Sequence, residues 1–247
     1  MSVMREQAAP RTGQALVDSV AERIRERILS GDIPLGTPLR QAELADEFGV
    51  SRMPVREALR QLQNGGLIST LPHRGALVRV PAPWEVRDAF EVRAELEALA
   101  ARRAAGRLPG PAVASLRELN ATMRDRARAA PAPNAADPAH RHRGNETFHD
   151  TIAGHAGNGR LASTIRGLHD AFPRNILVQL LADDPGYGTR NFDEHDAVLE
   201  AIVDGDADRA ATVMRDHVRH AGDQLARWFE RRSSTVFHGG DEVRDLA

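Results

Sequence analysis

The chain contains no cysteine, which excludes disulfides and thiolate metal sites. It also contains no lysine: all 33 basic residues are arginine. Every phosphate contact made by a basic side chain must therefore use a planar fork rather than a point charge. An apolar N-terminal stretch is missing too. Met1 to Gln14 is polar and interrupted by Pro10, which argues against a secretory signal, and nothing in the chain suggests a membrane span. A cytoplasmic protein with no membrane partner is expected. At 247 residues the chain is long enough for one large domain or two modest ones with real cores. The net charge of −2 is unevenly placed: residues 1–80 hold 11 Arg against 9 Asp plus Glu, a balance of +2, and the remainder carries −4. A small basic head on an acidic body is compatible with local groove binding of nucleic acid, with modest and salt-sensitive non-specific affinity.

Arg52, Arg56 and Arg60 fall four residues apart in Ser51-Arg-Met-Pro-Val-Arg-Glu-Ala-Leu-Arg60, so one helix presents three guanidinium groups along one face. The other face carries Val55, Leu59 and Leu62, matched by Leu44 and Phe48 in the preceding segment Ala42 to Val50, with Gly49 between the two helices. This pattern is what a helix-turn-helix needs to enter a major groove. Periodicity alone also fits an amphipathic hairpin with solvated arginines. The sequel favours the first reading. Leu67 to Leu71 and Ala76 to Val80 are strand-like around the turn residues Pro72-His-Arg-Gly75, and an upstream helix, Leu16 to Ser30, carries Val20, Ile24 and Ile28 at helical spacing. Three helices followed by a two-stranded hairpin predict a winged helix-turn-helix.

The run Ile33-Pro-Leu-Gly-Thr-Pro-Leu39, then Glu43-Leu-Ala45, Phe48-Gly-Val-Ser-Arg52, Pro54-Val-Arg-Glu-Ala-Leu59, Gly66-Leu67 and His73-Arg-Gly75 closely resembles the DNA-binding domain of the GntR family of bacterial transcription regulators. The resemblance implies a winged head that binds a double-stranded operator. Arg52 and Arg56 are the expected readers of guanine edges, where a fork meets O6 and N7 together. Ser51 is expected to cap the recognition helix and to touch phosphate, Arg40 to reach the backbone, and His73, Arg74 and Gly75 to form the wing. Gln41 stands where the family often has Glu, and Ala42 where some members place a DNA-contacting arginine.

Pro81-Ala-Pro83 marks a break. Beyond it the pattern is helical, with segments near 84–106, 110–129, 139–155, 158–181, 188–204 and 206–232, the fourth kinked or split at Pro173. The expected organisation is a flexible N-terminus over 1–14, the winged domain over 15–80, a linker over 81–83, an all-α six-helix bundle over 84–232 and a flexible tail over 233–247. The fold class is mostly α.

Asn145 and His149 share one helix face, His195 lies on another helix and His217 on the last. Four ligands from three helices can converge in a bundle core, where such folds build metal sites. Spacing alone favours a chance set of buried, hydrogen-bonded or surface imidazoles over a metal site. Asn145-x-x-Phe-His149, Asn158 with Leu161, Glu194-His195, Ala201-Ile202 with Gly205-Asp206, Met214-x-x-His217 and Arg93-x-x-Leu96-Glu97 resemble the FCD ligand-sensing domain of FadR-type GntR regulators, and six helices place the domain with the VanR-like branch. The resemblance implies a divalent metal, zinc or nickel, at Asn145, His149, His195 and His217, with Asn145 in a position many members give to aspartate. An amide leaves the ion its full charge, so an organic carboxylate effector is expected to complete the site, with Arg93 as a second clamp. Arg93 can also simply pair with Glu97 along the helix. The chain is then a homodimeric regulator. The alternatives are a DNA-binding protein whose helical domain only dimerises, or a small zinc hydrolase using Glu194 or Glu146 as base.

Overall fold

The computed structural model describes the backbone of residues 13–71, 75–128, 138–169, 180 and 185–237, and the side chains of 13–70, 75–127, 144–169, 180 and 186–231. The chain forms two compact units, Met1–Val80 and Pro81–Ala247. It is mostly helical, and among the described residues no helix is long and apolar enough to cross a membrane.

The first unit contains α1 (Gly13–Ser30), β1 (Pro38–Leu39), α2 (Gln41–Phe48), α3 (Arg52–Asn64), β2 (Ile68–Leu71) and β3 (Gly75–Val78). The helices form because their apolar residues recur every three or four positions: Val20, Ala21, Ile24 and Ile28 from α1, Leu44 and Ala45 from α2, and Val55, Ala58, Leu59 and Leu62 from α3 close on one hydrocarbon core. Phe48 and Val50 pack at its edge. Gly49 ends α2 in the left-handed region, at φ 66, while the N–H of Val50 reaches back to the carbonyl of Ala45 at 3.0 Å. That tight stop turns the chain directly into α3.

The sheet departs from the two-stranded expectation. Its order is β1-β3-β2, with Leu39 opposite Ala76 on one side of β3 and Thr70 opposite Ala76 on the other. A two-residue strand is too short to show alternation, so only its partner reveals it. Leu39 is nonetheless buried and anchors the strand in the core.

The second unit contains α4 (Pro83–Ala104), α5 (Gly110–Arg128), α6 (Pro138–Gly154), α7 (Gly159–His169), α8 (Pro185–Val203) and α9 (Ala207–Phe237). Pro83 opens α4 at a position where a missing N–H costs nothing, and the Ala82 N–H is taken by the Glu85 carboxylate at 2.8 Å. Pro185 likewise opens α8 rather than standing before it. The last helix runs past Arg232 to Phe237, into the segment expected to be a flexible tail. The predicted kink at Pro173 lies outside the described residues, as do residues 1–12 and 238–247.

Helices α4 and α9 run antiparallel in close contact. Arg87 meets Glu230 at 2.7 Å, Arg215 meets Glu95 at 2.9 Å and Arg102 meets Asp208 at 2.7 Å. Between these pairs Gly222 lies so near Phe90 that an added Cβ would come within 2.5 Å of the Phe90 Cβ. Any larger residue there would push the two helices apart. The N–H of Gly106 bonds the Ile202 carbonyl at 2.8 Å, which ties the end of α4 to the end of α8.

Candidate functional site

The recognition helix divides cleanly. Pro54, Val55, Ala58, Leu59 and Leu62 of α3 are buried, whereas Arg52, Met53, Arg56 and Arg60 face outward. The Arg56 side chain is 59% exposed and that of Arg60 73%. Both lie near Glu57, at 3.6 and 3.9 Å. Arg40, at the N-cap position of α2, bonds Glu43 at 2.9 Å and is 73% exposed. Exposed pairs of this kind contribute about 0–1 kcal/mol, so a phosphate or a guanine edge replaces the carboxylate at little cost.

Ser51 occupies the N-cap position of α3 in an extended conformation, but its side chain makes no capping hydrogen bond, contrary to expectation. The third helical residue is Pro54, which has no N–H to donate, so one of the two donors that a capping hydroxyl uses is missing. Gly75 begins β3 at φ 82, in the left-handed region. His73 and Arg74 lie outside the described residues.

Within the second unit, His149 of α6, His195 of α8 and His217 of α9 come together, each offering one ring nitrogen within 4.8 Å of the others. They are 2%, 0% and 3% exposed. Phe148 stacks on the His195 ring at a centroid separation of 4.0 Å, so the cluster has an apolar wall. Asn145 is half-buried one turn before His149 on α6.

Each imidazole is held from behind through Nδ1. His149 Nδ1 bonds the carboxylate of Glu97, His217 Nδ1 bonds Glu194 at 3.0 Å, and His195 Nδ1 bonds the side-chain oxygen of Asn120 at 3.0 Å. An ionised carboxylate only accepts, so His149 and His217 must carry their proton on Nδ1. Asn120 is oriented by its other end: its Nδ2 donates to the Phe192 carbonyl at 2.9 Å and to Asp196 at 2.7 Å, which leaves Oδ1 as an acceptor toward His195. Asp196 is held in turn by Arg124 at 2.6 Å.

In neutral imidazoles so held, Nε2 is left as a lone pair. The Nε2 atoms of His217 and His149 face one another at 3.4 Å, and that of His195 is buried with no hydrogen-bond partner. Two opposed lone pairs and one orphaned acceptor are unfavourable without a positive centre to share. Three neutral imidazole nitrogens oriented by outer carboxylate and amide groups are the donor set that zinc and nickel accept, so the residues fit a divalent metal.

For His149 and His195, electrostatics favour the neutral form. Burial pushes His149 down to about 4, against the opposing pull of Glu97, and drives His195 well below its ordinary value. Burial would raise Glu97, yet Arg93 and then His149 hold it well below the usual carboxylate range. Glu194 is brought to about 2, because bonds from His217 and Arg190 outweigh the effect of burial.

Arg93 lies beside this centre. Its Nε bonds the Oε1 of Glu97, and its guanidinium sits 4.8 Å from the Phe90 ring centroid. The side chain is only 12% exposed, so the pair is internal rather than a helix-surface pair. Three supporting groups had no place assigned from sequence as outer partners: Glu97, Asn120 and His169, whose Nε2 bonds Glu97 at 3.1 Å.

A winged helix-turn-helix head followed in the chain by a helical body is the architecture of a DNA-binding transcription regulator. Residues 16–78 match the gntR family of bacterial regulatory proteins, and residues 88–220 match the FCD domain. The chain belongs to the gntR family and carries an FCD domain. An uncharacterized HTH-type transcriptional regulator of Mycobacterium tuberculosis is 32% identical over 219 residues, spanning 87% of this chain and 83% of its own length. A probable D-xylose utilization operon transcriptional repressor of Paenarthrobacter nicotinovorans is 40% identical over 91 residues, 35% of this chain and 40% of its own. Among solved structures, Escherichia coli McbR/YncC superposes with a TM-score of 0.69 at 21% identity, covering 87% of this chain and 98% of its own, a likeness of fold. The matched families and relatives are regulators, and the chain is a regulator rather than an enzyme.

Proposed function

We propose that this regulator holds its operator under the control of a small organic acid that binds at a metal site in the FCD domain. His149, His195 and His217 would hold a divalent ion, zinc or nickel, with Asn145 as a neutral oxygen donor. The observation that carries this reading is the common orientation of the three imidazoles, each fixed through Nδ1 so that Nε2 is free for the centre. When bound, the ion supplies uncompensated positive charge, which favours a carboxylate as the added ligand. Arg93 would offer the same acid its fork-shaped donors, in exchange for part of its bond to Glu97.

In the head, Arg52 and Arg56 read base edges, Arg40 and Ser51 meet phosphate, and the wing residues His73, Arg74 and Gly75 follow the backbone or minor groove. Two copies pair so that two recognition helices meet successive half-sites of a near-palindromic operator. The acid acts by binding unequally to the DNA-competent and DNA-incompetent arrangements of the dimer. The regulator works in the cytoplasm. Placement in the VanR-like branch requires six helices, and no more, in the second unit. Leu180, helical and buried between α7 and α8, is where a seventh would enter, so an experimental structure over 170–184 decides the branch.

Calorimetric titration of zinc into the native protein and into His195→Ala tests the site. The native protein is expected to bind and the variant to lose binding. Equal binding by both removes the site.

A further inference from the structure

We propose that Glu97 supplies, from one layer outside the ligands, part of the negative charge that the metal site's own ligands lack, as Glu194 does behind His217. The inference rests on the metal reading above. Three neutral imidazoles and the amide of Asn145 carry no charge, so a divalent ion among them would keep both of its own. Glu97 is 2% exposed and bonded directly behind His149. A carboxylate behind a ligand imidazole raises the basicity of its far nitrogen and passes part of its charge to the ion through the ring.

Nothing in the packing of a bundle core calls for a buried carboxylate, because isolated burial of a charge is costly. Here the group is fully engaged. One oxygen accepts from His149, and the other accepts from Arg93 and from His169 at 3.1 Å. Glu97 therefore connects the ligand His149 to the cation proposed to clamp the effector. It is a positioning residue, acting on the ion only through His149.

Its neighbour Glu95 provides the control: it lies on the same helix, 51% exposed, paired with Arg215 at 2.9 Å and Arg219 at 3.1 Å, outside the cluster. Zinc affinity is measured by competition with a chromophoric chelator. Glu97→Gln, which keeps the shape and removes the charge, is expected to weaken zinc binding about 10- to 100-fold at unchanged stoichiometry. Glu95→Gln, with the same change in net charge, is expected to leave it unaltered.

The charge assignment has a sharper test. In an Asn145→Asp background the ion gains a carboxylate directly, and the penalty of Glu97→Gln is expected to shrink. A merely structural Glu97 would give the same penalty in both backgrounds, and that result overturns the proposal. Equal zinc affinity of native protein and Glu97→Gln overturns it as well, while leaving the metal reading intact. A native protein that takes up no zinc overturns the metal reading and this inference with it. Should Glu97→Gln fail to fold, nitrogen NMR of the metal-free native protein decides: His149 protonated on Nδ1 supports the assignment, and protonation on Nε2 overturns it.

Discussion

The two units of this regulator differ in where each keeps its polar chemistry, the head at its own surface and the FCD unit in its own interior. In the head, every buried side chain among the described residues is hydrocarbon, and Arg40, Arg52, Arg56 and Arg60 stand in solvent. In the FCD unit, Glu97, Asn120, His149, His169, Asn191, His195 and His217 are all buried. Under the proposed function, the difference follows from the size of the ligand. Duplex DNA brings a large, highly charged surface, so exposed forks can meet it without prior desolvation. A single ion and a small acid offer few contacts, so their donors must be gathered, oriented and dried beforehand, at the expense of the body's stability.

The largest effect that tests this contrast lies in the head's core. Leu62 is fully buried, and Leu62→Ala is expected to lower the head's unfolding free energy by about 2–5 kcal/mol, read by chemical denaturation. A loss under 1 kcal/mol would mean that the core is not what holds the arginine edge in place. In the body, Asn120→Ala strips the acceptor from His195 and the donor from Phe192 and Asp196. It is expected to cost about 1–3 kcal/mol and to weaken zinc binding, whereas an exposed amide would cost neither.

Acid sharpens the comparison further. His149 has an ordinary value of 6.5 and is lowered to about 4 in the folded body, chiefly by burial. Between those two values the unfolded chain takes up a proton that the folded one refuses. Stability of the metal-free body is therefore lost as the pH falls from about 6.5 to about 4, by about 1.4 kcal/mol per unit for such a histidine, and is constant above that window. His195 is shifted in the same direction. Denaturation midpoints followed with pH check this; a flat response would mean that the cluster is already protonated or open to water. The smallest effect belongs to Arg40. Arg40→Ala should reduce the salt dependence of DNA binding by about one unit of slope, with sequence preference unchanged.

Much of the head was legible because helical periodicity records burial directly. Val55, Leu59 and Leu62 alternate with Arg52, Arg56 and Arg60 at a spacing that only a helix turns into two faces. Strand β1 was not, since two residues hold no period and its partner lies far along the chain. In the body, the ordered motifs singled out His149, His195 and His217, and packing brings these three together. The links from these three to the groups that orient them left no local trace, although Glu97 itself stood in a motif as the helical partner of Arg93. Glu97 is 52 residues from His149, Asn120 is 75 from His195, and His169 is 72 from Glu97. Hydrogen-bond partners across such separations are chosen by helix packing, which a single sequence does not display. Glu194 was visible as a neighbour of His195, yet it supports His217 on another helix.

The central claim, that the exposed edge of α3 reads DNA sequence, is tested most directly by selecting a preferred duplex from a random pool and measuring native and Arg56→Ala protein against that duplex and a scrambled one. The account predicts that Arg56→Ala lowers the ratio of the two affinities by about 1–3 kcal/mol, while binding to the scrambled duplex changes less. A ratio equal to that of the native protein would contradict it.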